Sequence, residues 1–190
     1  MKLSILSTAL LALAATTGAQ AIPVASGLTL NQSFVEYSGA AVVGDGQVNT
    51  SSVLWFVDEV TANNLKSWFI FFDPSGSQSI SATLTFDHAI VDVITDRLSL
   101  FQTQQTYGID IDHDGVMDDY LNPAAVGLEA NQDVVIWTPG SNTLQLRWTA
   151  SNPGDHIRVL TQAVPEPATW GLAGLALAAL AGTRLRRRKN

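Results

Sequence analysis

Ser79-Ile80-Ser81-Ala82-Thr83-Leu84-Thr85-Phe86 alternates polar and apolar side chains without a break. Successive side chains of a strand point to opposite faces, so this run predicts a strand with one wet and one buried face. Thr143-Leu144-Gln145-Leu146-Arg147-Trp148-Thr149 repeats the pattern, with Leu144, Leu146 and Trp148 in phase. Residues 53–60, 68–72, 89–95, 134–138 and 157–161 are rich in β-branched and aromatic side chains, which suits further strands. Between the runs stand Gly44-Asp45-Gly46, Asp73-Pro74-Ser75-Gly76, Pro139-Gly140-Ser141-Asn142 and Asn152-Pro153-Gly154-Asp155, all turn chemistry. Between the two chain ends no stretch keeps a helical period. Short strands at this spacing predict an all-β domain, an antiparallel β-sandwich of jelly-roll or immunoglobulin-like kind.

Both ends of the chain differ from this middle. Lys2, an apolar run over 3–14 and the small-x-small triplet Ala19-Gln20-Ala21 predict a signal peptide over 1–21, cut by signal peptidase after Ala21. At the other end, Val164-Pro165-Glu166-Pro167-Ala168 precedes an uncharged stretch over 169–183, followed by Arg184, Arg186, Arg187, Arg188 and Lys189. The prolines favour an extended segment, and Pro167 can open a helix. Leu172, Leu175, Leu177 and Leu180 fall on all sides of that helix and leave it no polar face, which predicts a short transmembrane helix. The basic cluster acts as a cytoplasmic stop, and everything before the helix then lies across the membrane. Gly174, Ala178 and Gly182 have the spacing that lets a partner helix approach, a spacing that also arises readily in any Ala/Gly-rich run. The chain divides into 1–21, a body over 22–163 and a tail over 164–190.

The order of Pro165-Glu166-Pro167, apolar helix and arginine cluster resembles the PEP-CTERM sorting signal. That resemblance implies a protein of an exopolysaccharide-producing Gram-negative bacterium, recognised and processed by exosortase at the inner membrane. The protein would be transiently anchored and then released to the envelope or extracellular matrix. An unprocessed single-span anchor is the other reading of the same residues. The runs 81–87 and 149–159 also resemble an uncharacterised β-rich ectodomain found with such tails, for which no functional residue carries over.

The body's charge narrows its partners. The whole chain carries −7 at pH 7, but within 22–163 four bases, Lys66, Arg97, Arg147 and Arg158, face sixteen carboxylates. So acidic a surface argues against nucleic acid as a partner. With 0 cysteines, an exported body has neither disulfides nor thiolate chemistry and must rely on its packed core.

One constellation carries a mechanism: Asp110-Ile111-Asp112-His113-Asp114-Gly115-Val116-Met117-Asp118-Asp119. Carboxylates at loop positions one, three, five and nine with glycine at six follow the calcium-loop pattern, where oxygen ligands converge on a hard cation. Asp110, Asp112, Asp114, the Val116 carbonyl and Asp118 or Asp119 would be the ligands of a structural Ca2+. Position twelve is Leu121 in place of the EF-hand glutamate, so the loop is closer to those of dockerins or thrombospondin type 3 repeats. A solvated acidic turn is the alternative. His88, His113 and His156 show no zinc spacing, and no Gly-x-Ser-x-Gly elbow occurs, so no catalytic residue is assigned. A glycosidase carboxylate pair has no sequence signature, and Trp55, Trp68 or Trp137 could stack on sugar rings if exposed. The reading that results is a non-enzymatic exported protein, with a module binding the exopolysaccharide as the first alternative and a secreted hydrolase as the second.

Overall fold

The computed structural model describes residues 21–29, 31–39, 48, 50–111, 113, 115, 120, 127–129, 132–151 and 154–163. These belong to the compact unit Gln20–Ala163. The leader before Ala21 and the tail over 164–190 lie outside them. No helix among the described residues is long and apolar enough to cross a membrane.

Among the described residues nine strands and one helix follow along the chain: β1 (Val24–Ser26), β2 (Ser33–Glu36), β3 (Val53–Ala62), β4 (Leu65–Phe72), β5 (Gln78–Thr85), β6 (Ile90–Ile94), α1 (Arg97–Tyr107), β7 (Val134–Trp137), β8 (Thr143–Ala150) and β9 (Asp155–Gln162). They form a four-stranded sheet, β1-β5-β8-β7, and a five-stranded sheet, β2-β3-β4-β9-β6. The body is mostly β, and its two sheets are compatible with a β-sandwich.

The alternation of the opening stretch becomes the apolar layer. Ile80, Ala82 and Leu84 of β5 stand opposite Trp148, Leu146 and Leu144 of β8, and all six are buried. Against them pack Leu54 and Phe56 of β3, Trp68, Ile70 and Phe72 of β4, and Ile157 and Val159 of β9. Each sheet thus removes the other's apolar face from water, at about 25 cal/mol per Å² buried. Trp68 and Trp148 are fully buried here, so neither is available to a sugar.

Two expectations need correction. The sheets are not wholly antiparallel, because β2 runs parallel to β3, with Ser33 opposite Val53. Nor is the body free of helix. Asp96, in an extended conformation, caps α1 by accepting from the Ser99 N–H at 2.9 Å, and the Gly108 N–H closes the far end on the Gln104 carbonyl at 2.7 Å. Its buried residues are Leu100, Gln104 and Tyr107. A glutamine at the centre of the buried stripe erases the apolar period by which such a helix is read.

That glutamine has a reason. The central strand β4 is buried from Lys66 to Phe72, so its other face needs cover as well. Val57, Phe69, Phe71 and Leu160 form a second apolar cluster there with Tyr37, Leu100, Tyr107 and Tyr120. Within this cluster lies an ion pair, Glu59 with Arg158, whose side chains are both fully buried. Arg158 Nε and Nη2 each reach one Glu59 carboxylate oxygen at 2.7 Å. Its Nη1 donates to the Leu100 carbonyl and to Thr103 Oγ1, and its Nη2 also donates to Gln104 Oε1. All five guanidinium donors are therefore used, three of them on α1. Glu59 accepts further from Ser67 Oγ and, at 2.7 Å, from the Tyr120 hydroxyl.

Removing one partner leaves the other as an unpaired buried charge. Arg158→Met should cost about 3–5 kcal/mol in denaturant unfolding, and Glu59→Gln a comparable amount. Adding Glu59→Leu to Arg158→Met should recover much of that loss, because no charge then stays buried. A loss below about 1 kcal/mol for each single variant would show that the pair does not hold the cluster together.

Candidate functional site

The aspartate-rich segment starts and ends at the buried ion pair. The Tyr120 hydroxyl accepts from the Ile109 N–H at 3.0 Å while donating to Glu59, so residues 109 and 120 are pinned together at the base of the loop between them. Burial, then the neighbouring Glu59, raises the Tyr120 pKa, and the phenol stays a donor at any physiological pH. Ile111 is packed so closely on Gly39 that a Cβ there would fall 2.0 Å from its Cγ2. Gly39 also has φ +71, where a side chain is strained.

Within the loop, Asp110 Oδ2 accepts from the Gly115 N–H at 2.8 Å, and His113 and Gly115 are both left-handed, at φ 66 and φ 92. The first position of the calcium pattern is thus bonded to the sixth, and the glycine permits the turn expected of it. Asp112, Asp114, Val116, Asp118 and Asp119 lie outside the described residues, so the expected ligand set is represented by Asp110 alone.

A second group of carboxylates was not anticipated. Glu129, Asp133 and Asp155 each place an oxygen within 4.8 Å of the others. Glu129 and Asp133 share a tight turn. The Gln132 and Asp133 N–H groups both donate to the Glu129 carbonyl at 3.1 Å, and the Glu129 N–H donates to Asp133 Oδ2 at 2.9 Å. Asp133 Oδ1 accepts from the Thr149 N–H of β8, also at 2.9 Å. Asp155 opens β9 and pairs with Phe72 of β4. It follows a turn clamped at Gly154, which has φ +89 and where a Cβ would lie 2.5 Å from the Phe72 carbonyl oxygen.

The three carboxylates differ in exposure. Glu129 is exposed, Asp133 half-buried, and Asp155 only 2% exposed. Asp155 Oδ2 meets no hydrogen-bond donor among the described residues. Burial first, then the charges of Asp133 and Glu129, push the Asp155 pKa up to about 8. Partial desolvation and the adjacent Asp133 also raise that of Glu129. Among the described residues none of the three forms an ion pair; the pairs are Lys66–Asp58, His88–Asp87 and Arg158–Glu59. No histidine joins a convergent group of potential ligands among those residues.

Sequence signals for this group were slight. Asn152-Pro153-Gly154-Asp155 reads as a solvated turn, yet Asp155 is the first residue of a strand buried almost throughout. Nothing local in the chain brings positions 129 and 133 to position 155.

Comparison with known families identifies residues 163–188 as a PEP-CTERM protein-sorting motif. The segment contains Pro165-Glu166-Pro167 and Arg184, Arg186, Arg187 and Arg188, and it marks an exported protein with a membrane-associated sorting signal at its C-terminus. No curated protein and no solved structure matches the chain.

The pH dependence of stability follows from Asp155. Its carboxyl has a folded pKa of about 8 against an ordinary 3.8, so between those values the native state holds a proton that the unfolded chain has released. Stability in chelator should therefore fall as pH rises from about 4 to about 8 and level off above. Thermal melts should drop by several degrees across that window, and Asp155→Asn should flatten the profile. A wild-type profile that rises over the same window would contradict the assignment.

Proposed function

We propose that this chain is a non-enzymatic, exported envelope or extracellular-matrix protein, processed by exosortase in an exopolysaccharide-producing Gram-negative bacterium. The observation that carries this reading is the PEP-CTERM motif over 163–188, at the end of a chain whose beginning reads as a signal peptide. Signal peptidase would release the N-terminal segment at Ala21. Exosortase would act on the tail once the helix is in the membrane and the basic cluster holds it there. The body is the cargo, a sandwich of jelly-roll or immunoglobulin-like kind.

The non-enzymatic reading draws support from where the acids lie. Glycosidase carboxyls stand about 5 to 9.5 Å apart across a substrate cleft. The carboxylates that converge here each bring an oxygen within 4.8 Å of the other two, and one of them is buried. A groove of about 600 Å3 between β1 and β2 is lined by Ile22, Val24, Phe34, Val35 and Phe56, with Glu36 as its one carboxylate among the described residues. In this reading neither place serves as the acid and base of a hydrolase.

In the exosortase-bearing host, mass spectrometry should find the chain without residues 1–21 and shortened at its C-terminus. Deleting exosortase, or replacing Pro165, Glu166 and Pro167 with alanine, should leave the tail attached and the protein in the membrane fraction. Identical masses with and without exosortase would remove the processing claim, and a full-length cytoplasmic chain would remove the export claim.

The loop over 110–119 takes a structural calcium ion in this reading, with an affinity on the order of 10⁻⁴ to 10⁻³ M. Its support is the Asp110–Gly115 bond and the pinned base. Asp112→Ala combined with Asp114→Ala should lower the calcium bound at saturation by one equivalent, as measured by equilibrium dialysis. Unchanged stoichiometry would reduce the loop to an acidic turn.

A further inference from the structure

We infer that Glu129, Asp133 and Asp155 form a second divalent-cation site, suited to Ca2+, that fastens one sheet of the body to the other. Three observations on these residues converge. Their oxygens lie within 4.8 Å of one another, which is comparable to twice a calcium–oxygen distance of about 2.3–2.6 Å. The donor set is all oxygen, as a hard cation prefers. At the closed end of the group, Asp155 is 98% removed from solvent, given its 2% exposure, and presents an oxygen with no donor among the described residues.

An anion buried in this way without a partner costs several kcal/mol. Glu59, equally buried, is by contrast satisfied by Arg158, Ser67 and Tyr120. At Asp155 the neighbours that face it are Glu129 and Asp133, both of its own sign, and no ion pair reaches any of the three among the described residues. A proton neutralises one carboxyl, in keeping with the raised pKa of Asp155, but it leaves Glu129 and Asp133 facing each other. A divalent cation neutralises two charges at once and accepts all three oxygens. The exposed Glu129 gives the ion a way in from solvent.

The placement says what such an ion would do. Asp133 lies directly before β7 and is held by Thr149 of β8, both in the four-stranded sheet. Asp155 is the first residue of β9, in the five-stranded sheet. One ion on both would tie the sheets together where the chain crosses from β8 to β9. A cysteine-free chain has no disulfide with which to make that link.

The test uses the full-length chain purified in detergent, with calcium chloride as the probe. Asp112→Ala with Asp114→Ala first removes the loop's contribution. In this background one calcium equivalent should remain in equilibrium dialysis, and calcium should raise the melting temperature relative to chelator. Adding Glu129→Gln and Asp155→Asn should abolish both the remaining equivalent and the shift. Because Asp155→Asn is isosteric and replaces a carboxyl with a group that cannot ionise, this variant should keep its near-ultraviolet circular dichroism and melt no lower than its parent in chelator. If the loop variant binds no calcium, or if its binding survives Glu129→Gln with Asp155→Asn, the site does not exist. A loop that proves silent would leave this outcome unaffected, since the wild type would then bind the same single ion as the loop variant.

Discussion

The pair Glu59–Arg158 is the constraint from which the outer half of the body follows. Withdrawing both charges from water is expensive, and the arrangement holds only if every donor and acceptor finds a partner. Arg158 needs three acceptors beyond Glu59, and α1 supplies them from within one turn as the Leu100 carbonyl, Thr103 Oγ1 and Gln104 Oε1. Glu59 needs donors beyond Arg158, and Tyr120 supplies one while also gathering the backbone at Ile109. The helix and the base of the acidic loop are therefore held by polar accounting as much as by apolar area. Phe69 completes the site by placing its ring 5.2 Å from the guanidinium carbon.

This also explains which parts of the fold were legible in the chain. Residues 79–86 and 143–149 bury one face against one apolar layer, so their period of two survives in plain view. Their pairing, Ile80 with Trp148 and Leu84 with Leu144, brings the two most regular stretches of the sequence side by side. The helix fails the same reading because its inner face serves a cation, and a polar residue on a buried stripe looks like an exposed one. Its start signal was nonetheless present: Asp96 stands three residues before Ser99 and caps the first turn. The parallel pairing of β2 with β3 had no local signal, since direction is set by the path of the chain between them.

The two acidic groups divide along similar lines. The loop over 110–119 is a local pattern, in which each ligand position is defined by its distance from Asp110 along the chain, so it can be read without a fold. Glu129, Asp133 and Asp155 are brought together by a turn, by the bond from Thr149 and by the clamp at Gly154. None of those is visible before β8 and β9 are placed in different sheets. The sorting tail was the most legible segment of all, because membrane machinery reads order and composition along the chain and not a packed surface.

An acidic, cysteine-free body has to manage like charges without covalent ties, and it does so in two ways. Where the chain can spare a base, it buries it: Arg158 is one of only four in the body and is fully enclosed, and Lys66 lies buried beside Asp58 and the Glu59 carbonyl. Among the described residues other carboxylates, such as Glu36, Asp92 and Asp96, stay exposed, and Glu129, Asp133 and Asp155 gather in a cluster. Repulsion in such clusters opposes folding in proportion to how tightly the fold compresses them.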